Sequence, residues 1–259
     1  MDVGKSFTYM FEDKDWIAKI AIGGLILLAG ALFSWLLLVP LIAAIGLVFG
    51  YALVTLRNVY DGNPTPLPKW ENLGDLFVKG ITAMIGLFIW SIPALILFCC
   101  AYIPFILAGA GNDGGGNAAS GLLGLVGALF FCIAFVVAIA ISLFTFAPLT
   151  NFALNNQLST FWDFGGNWKF IQANVGDYLI AWLLGNIVAG IIASVVSSIS
   201  CGLLSVFAIV WSYLVMAHLF AQVARSNLTP TDSSMLPPTP PTDEPPSMMQ
   251  GPMEPSPSA

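Results

Sequence analysis

The residues with the most capacity for chemistry are acids in the polar stretches between apolar runs: Asp61, Glu71, Asp75, Asp163 and Asp177. Two facing carboxylates could share a proton for acid–base work or hold a cation. Nothing beside them completes such a site. No HExxH, GxSxG, phosphate-loop or EF-hand spacing is present. The neighbouring Lys69, Lys79 and Lys169 suit these acids to helix capping and local pairing instead. His218 is the single histidine. It stands one to two turns from the end of an apolar run and reads as an interfacial or helix-contact residue rather than a ligand or proton carrier. Cys99, Cys100, Cys132 and Cys201 show neither zinc nor CxxC spacing and read as small packing residues. A bridge from Cys201 to Cys99 or Cys100 is the alternative. Ser91, Asn186 and Ser212 fall deep in apolar runs, as do Trp35, Trp90, Trp182 and Trp211. Interhelical hydrogen bonds and packing account for them, and a binding groove is the sharper alternative. The residues therefore predict no catalytic, cofactor-binding or metal-binding set, and the chain does not read as an enzyme.

The elements that carry these residues are set by composition. Of 259 residues, 58% are hydrophobic and 8% charged, against about 25% charged in a soluble domain. Lipid must solvate most of the chain. In hydrocarbon every backbone polar group has to be paired internally. The long apolar runs lack two-residue alternation, so helices are expected rather than a barrel. The net charge of −6 comes largely from a Pro-, Ser- and Met-rich tail, and no basic cluster suggests nucleic acid. Acids precede the first apolar run, which is too long for a cleavable signal.

The fold class expected is all-α: a polytopic membrane protein with six transmembrane helices as three hairpins, plus interfacial helices. Residues 1–16 carry Phe7, Met10 and Phe11 at helical spacing behind Ser6 as N-cap. Ile17–Val59 is twice the length of one crossing and predicts two spans joined near Ser34–Pro40. Asp61-Gly62-Asn63-Pro64 is a turn, and Pro64, Pro66 and Pro68 hold the chain extended. An amphipathic helix then starts near Trp70, with Trp70, Leu73 and Phe77 on one face and Asp75 four residues before Lys79. Ile81–Ile106 is the third span, kinked or ended by Pro93 and Pro104. A Gly-rich loop, 109–121, leads to the fourth span, Leu122–Ala147. Thr160 caps a further interfacial helix that lines up Phe161, Phe164, Trp168, Ile171 and Val175. Tyr178–Ile199 and Leu203–Ala224 complete the six. Residues 1–225 form the membrane domain, and 226–259 a disordered tail.

All eight basic residues, Lys5, Lys14, Lys19, Arg57, Lys69, Lys79, Lys169 and Arg225, fall on the side of the N-terminus. The positive-inside rule then puts both termini and both long polar loops in the cytoplasm, and the protein in the cell membrane. Each hairpin is preceded by a polar, aromatic-bearing stretch with an acid and a lysine, a weak internal repeat.

The lead FEDKDWIAKIAIGGLILL, the loop GYALVTLRNVYDGNPTPLPKWENLGDLFVKGI and the block FWDFGGNWKFIQANVGDYLIAWLL together resemble the uncharacterised bacterial and archaeal membrane-protein family DUF4013 over residues 6–225. The lead contributes Phe11, Asp15, Trp16, Lys19, Gly23 and Gly24. The loop contributes Gly50, Tyr51, Arg57, Gly62, Leu67, Pro68, Trp70, Gly74, Asp75, Leu76, Phe77 and Gly80. The later block contributes Phe161, Asp163, Phe164, Asp177 and Tyr178. The resemblance implies the topology and a prokaryotic membrane, and no activity. Two functions remain open. The first is a non-enzymatic scaffold or accessory subunit, a homo-oligomer or part of a membrane complex, motivated by small residues along the spans. The second is a transporter or lipid-handling protein for an apolar or zwitterionic substrate. A polar cavity at mid-membrane lined by Ser91, Asn186 and Ser212 would favour the second, and a filled core the first.

Overall fold

The computed structural model describes residues 1–35, 38–110 and 118–227. The centre of the Gly-rich loop and the tail from Leu228 onward lie outside the described residues. So does part of the turn between the first two spans. The described chain is helical throughout: α1 (Val3–Thr8), a 3₁₀ turn (Tyr9–Glu12), α2 (Trp16–Leu32), α3 (Val39–Tyr60), α4 (Leu73–Ala110), α5 (Ala118–Asn155), a second 3₁₀ turn (Leu158–Phe161), α6 (Phe164–Ala173), α7 (Val175–Leu183), a π-turn (Leu184–Val188), α8 (Ala189–Ile199) and α9 (Ser205–Ser226).

The fold is an all-α polytopic membrane protein. Among the described residues, five helical stretches are long and apolar enough to cross a bilayer: α3, α4, α5, α7 with α8, and α9. α2, whose 17 residues reach about 25 Å, is at the short end for a bilayer and makes a sixth crossing when counted together with the α1 segment. It meets the α1 segment at a 96° bend. Three hairpins result, α2/α3, α4/α5 and α7–α8/α9. Their partners in space are not only their partners in sequence. α3 packs on α2, α4 and α9, and α9 packs on α2, α3 and α8. Half of the most apolar stretch of α3 and 56% of that of α9 are buried, against 17% for α4 and 11% for α5. α3 and α9 are thus the inner pair, and the large apolar side chains of the others face outward, as lipid-facing helices require.

Several expected boundaries move. No separate interfacial helix forms around Trp70. Trp70 sits in a turn, and the helix starts at Leu73 and runs 38 residues to Ala110. Pro93 and Pro104 lie inside it, and Pro148 inside α5. In a helix buried among neighbours and lipid, the carbonyl that a proline leaves unpaired does not end the helix. Thr160 is not the cap of α6; its hydroxyl donates to Gln157 O at 2.8 Å. Asp163 caps instead, accepting from Gly166 N at 2.9 Å. Ser6 is likewise not the cap of α1, because Asp2 accepts from Lys5 N at 3.0 Å. The four cysteines are free thiols. The three lead-ins also differ: a right-angle bend before α2, an unbroken run into α4, and a break at Asn174 (φ −153°, ψ 62°) before α7.

Small residues set the closest approaches. Gly50 and Gly80 face each other's helices so tightly that a Cβ on Gly50 would strike the backbone carbonyl of Leu76. One on Gly80 would strike that of Gly46. This crossing locks α4 against α3. On the other side of the core, Gly24 makes room for the ring of Phe207, and Gly30 for Ala44.

Candidate functional site

The loop signature builds a clamp. Tyr51, 1% exposed on α3, stacks on Trp70 with ring centroids 4.2 Å apart and planes 12° from parallel. Its hydroxyl donates to Pro68 O at 3.0 Å. Trp70 Nε1 donates to Lys19 O on α2 at 3.0 Å. Lys19 Nζ donates in turn to Leu67 O at 2.9 Å and to Asp13 at 2.6 Å. Leu67 is buried. Asn58 Nδ2 holds Pro66 O at 2.9 Å. The proline run is thus laid over the end of α3, with its carbonyls satisfied by side chains from α2 and α3. Gly62 turns the chain with φ +78°, a left-handed conformation that glycine adopts without strain. Arg57 pairs with Asp61 at 3.0 Å and donates to Leu154 O on α5. Gly80 belongs to the helix crossing. Gly74, Asp75 and Phe77 do not join the clamp: all three are exposed, and nothing lies against Gly74. No Asp75–Lys79 ion pair forms among the described residues; Lys69 reaches Glu71 at 3.6 Å.

Asp13 is the acid with a shifted ionisation outside the spans. Burial alone would raise it. Hydrogen bonds from Lys19 and from Asp15 N–H, with the lysine's charge, outweigh burial and hold the carboxyl below its usual range.

The second block is also structural. Phe161 is fully buried against Phe152 and the space left by Gly86. Its carbonyl accepts from Trp90 Nε1 at 3.1 Å. Phe164 flanks Trp90 at 5.2 Å while remaining exposed. Asp177 accepts from Asn174 Nδ2 at 3.4 Å. Tyr178, fully buried, donates to Leu143 O. Asn167, which the helical spacing puts on a polar face, is fully buried. It takes a hydrogen bond from Asn151 and gives one to Thr160 O, both at 2.8 Å.

His218 has company that sequence does not show. Its Nδ1 lies 2.9 Å from Ser6 Oγ and 2.9 Å from Gln222 Nε2, and Tyr9 stacks on its ring at 4.3 Å. Tyr9 donates to Leu214 O at 3.0 Å, and burial raises its pKa further above the ordinary tyrosine value. This network docks the N-terminal segment onto α9. It edges a polar cavity of about 310 Å³ that also takes in Lys5, Glu12, Asn63 and Arg225.

The larger cavity lies within the span region. It measures about 400 Å³ and is walled by α3, α4, α5, the π-turn and α9. Its walls are mainly apolar: Phe49, Leu53, Leu56, Leu87, Phe146, Phe220 and others. Ser91 and Asn186 line it as the sequence suggests, together with Ser142, Thr145, Thr150 and Tyr213. Ser212 does not; its hydroxyl returns to Ala208 O at 2.8 Å. None of the described lining residues carries a charge. Trp182 Nε1 reaches Ser142 Oγ at 3.2 Å in the same wall. Asn186 sits within the π-turn, a rare widening that recurs at functional positions. Its Nδ2 donates to Trp182 O at 3.0 Å.

These features define a class, the polytopic all-α membrane proteins with an apolar intramembrane cavity. Within it, the chain belongs to the family described as protein of unknown function DUF4013, whose model matches residues 32–202. The clamp from Tyr51 to Gly80 and the block from Phe161 to Tyr178 fall inside the matched region, and the lead with Asp13 and Lys19 precedes it. No curated protein matches the chain, and no solved structure does.

Proposed function

We propose that the protein handles an apolar or amphipathic molecule, a lipid chain or a molecule of similar build, in its intramembrane cavity. The observation that carries this reading is the cavity of about 400 Å³. Its size is within the range of small-ligand sites, and its mostly apolar wall with a few polar groups is their usual make-up. The cavity moves ligand handling ahead of a scaffold role. Filling it supplies the test. A double substitution of small wall residues, A94L with A138L, should abolish photolabelling of the cavity by a diazirine-bearing acyl chain in purified protein. Labelling that persists unchanged would refute the reading.

The scaffold reading keeps one observation. Gly190, Ser194 and Ser198 follow one another at four-residue spacing along α8, and nothing lies within 4 Å of a Cβ on Gly190. Such rows let a second copy approach closely. Cross-linking of native membranes that yields no dimer would remove this reading.

Orientation belongs to the same proposal. The N-terminus, the clamp, the 155–174 connection and the end of α9 gather at one end of the molecule. Asp2 meets Gln222, Asn174 meets Ser226, and Asn227 meets Phe170. That end carries the basic residues, so it faces the cytoplasm of a cell membrane.

A further inference from the structure

We infer that the cavity selects an uncharged molecule bearing a hydroxyl group, which accepts from Tyr213 and donates to Asn186. This rests on the ligand-handling reading above and adds the chemical class of the ligand.

The inference comes from which polar atoms are already engaged. In the cavity wall, Ser91 donates to Phe88 O at 2.7 Å, Thr145 to Ser142 O at 3.1 Å and Thr150 to Phe146 O at 2.7 Å. Ser142 accepts from Trp182. The first three hydroxyls donate within their own helices, and Ser142 is engaged as an acceptor from the neighbouring α7. Tyr213 is different. Tyr9, Tyr51 and Tyr178 each donate to a backbone carbonyl. The hydroxyl of Tyr213 has no partner among the described residues, although its ring is fixed edge-on against Phe49 at 5.7 Å. The carboxamide of Asn186 spends one hydrogen on Trp182 O, and its oxygen has no partner among the described residues. An idle donor and an idle acceptor therefore line one apolar cavity in a region where each unsatisfied polar group is costly. A ligand that accepts from Tyr213 and donates to Asn186 relieves both. The absence of charge from the described wall residues disfavours ions, because no counter-charge offsets their desolvation.

Three photoreactive probes of one chain length, the diazirine derivatives of dodecane, dodecanol and dodecylammonium, applied to the full-length protein in nanodiscs, test this. A hydrogen-bonded hydroxyl contributes about 1 kcal/mol or more, so dodecanol should label cavity residues about five- to tenfold more efficiently than dodecane. Dodecylammonium should label them least. Tyr213→Phe and Asn186→Leu should each bring the alcohol-to-alkane ratio toward one while alkane labelling persists, which also shows that the fold survives. Equal labelling by alcohol and alkane in the unaltered protein, an unchanged ratio in both variants, or ammonium labelling equal to the alcohol's would overturn the inference and leave the cavity reading standing. Absence of saturable labelling by every probe would overturn both.

Discussion

At the scale of single residues, the fold depends on contacts that leave no room and on one ion pair that leaves no spare charge. The contact between α3 and α4 passes through Gly50 and Gly80, where added carbon would meet backbone rather than a side chain able to move. Gly50→Ala should therefore destabilise the purified protein by about 2–3 kcal/mol or prevent its accumulation. Gly74→Ala, which meets nothing within 4 Å, should be neutral or slightly stabilising. Thermal melts in detergent compare the two. Asp13 and Lys19 pair at 2.6 Å with side chains 6% and 13% exposed. Asp13→Asn strands the ammonium and should cost about 2–3 kcal/mol. Because the carboxyl is held below its unfolded value, its contribution is complete above that value and fades as pH falls through the folded one. Acidification below about pH 4 should therefore weaken the native protein more steeply than the Asn variant. Of these residues, Gly50, Gly80 and Trp70 were legible as signature positions, but their jobs were not. Aromatic and glycine identities in a loop say that something is close without saying what.

At the scale of elements, periodicity located the spans and failed at their edges. The amphipathic pattern from Trp70 to Lys79 is real in sequence, yet Trp70 turns away to stack on Tyr51, and the helix starts three residues later. A tertiary stack outweighed local pattern. Pro93 and Pro104, read as kinking or ending the third span, do not end it, since the helix runs on to Ala110. The interfacial reading of α1 missed that it docks. Ser6, Tyr9 and Gln222 enclose His218, leaving it 6% exposed, and no spacing rule pairs positions some two hundred residues apart. Removal of residues 2–12 should open that contact. Diethyl pyrocarbonate should modify His218 readily in the shortened protein and sparingly in the full chain, as read by mass spectrometry of the α9 peptide. Equal modification in both would show that α1 is not docked on α9.

At the scale of the whole molecule, composition sufficed for class and hairpin count, because lipid permits so few solutions for the backbone. It did not reveal which helices would be central, since α3 and α9 are no more apolar than the helices around them. The cavity was half legible: Ser91 and Asn186 stood out as polar atoms at depth, whereas Tyr213 looked like an ordinary span residue and Thr150 lay beyond the expected end of the fourth span. The shared end of the basic residues carries a further expectation. In a variant keeping Cys201 as its sole thiol, a membrane-impermeant maleimide should label intact cells, since Cys201 is exposed at the α8–α9 turn. A variant whose sole thiol is introduced by Asn63→Cys should be labelled only after the cells are opened. The reverse pattern would invert the molecule in the membrane.

The inner pairing of α3 with α9 sets an order of assembly. α3 leaves the ribosome early, while α9, which packs on it, follows some 145 residues later, a delay on the order of ten seconds at ordinary elongation rates. Until then the nascent chain must keep its half-finished first hairpin in the lipid. A stalled translation product that ends before Ser205 should be a preferred target for membrane quality-control proteolysis.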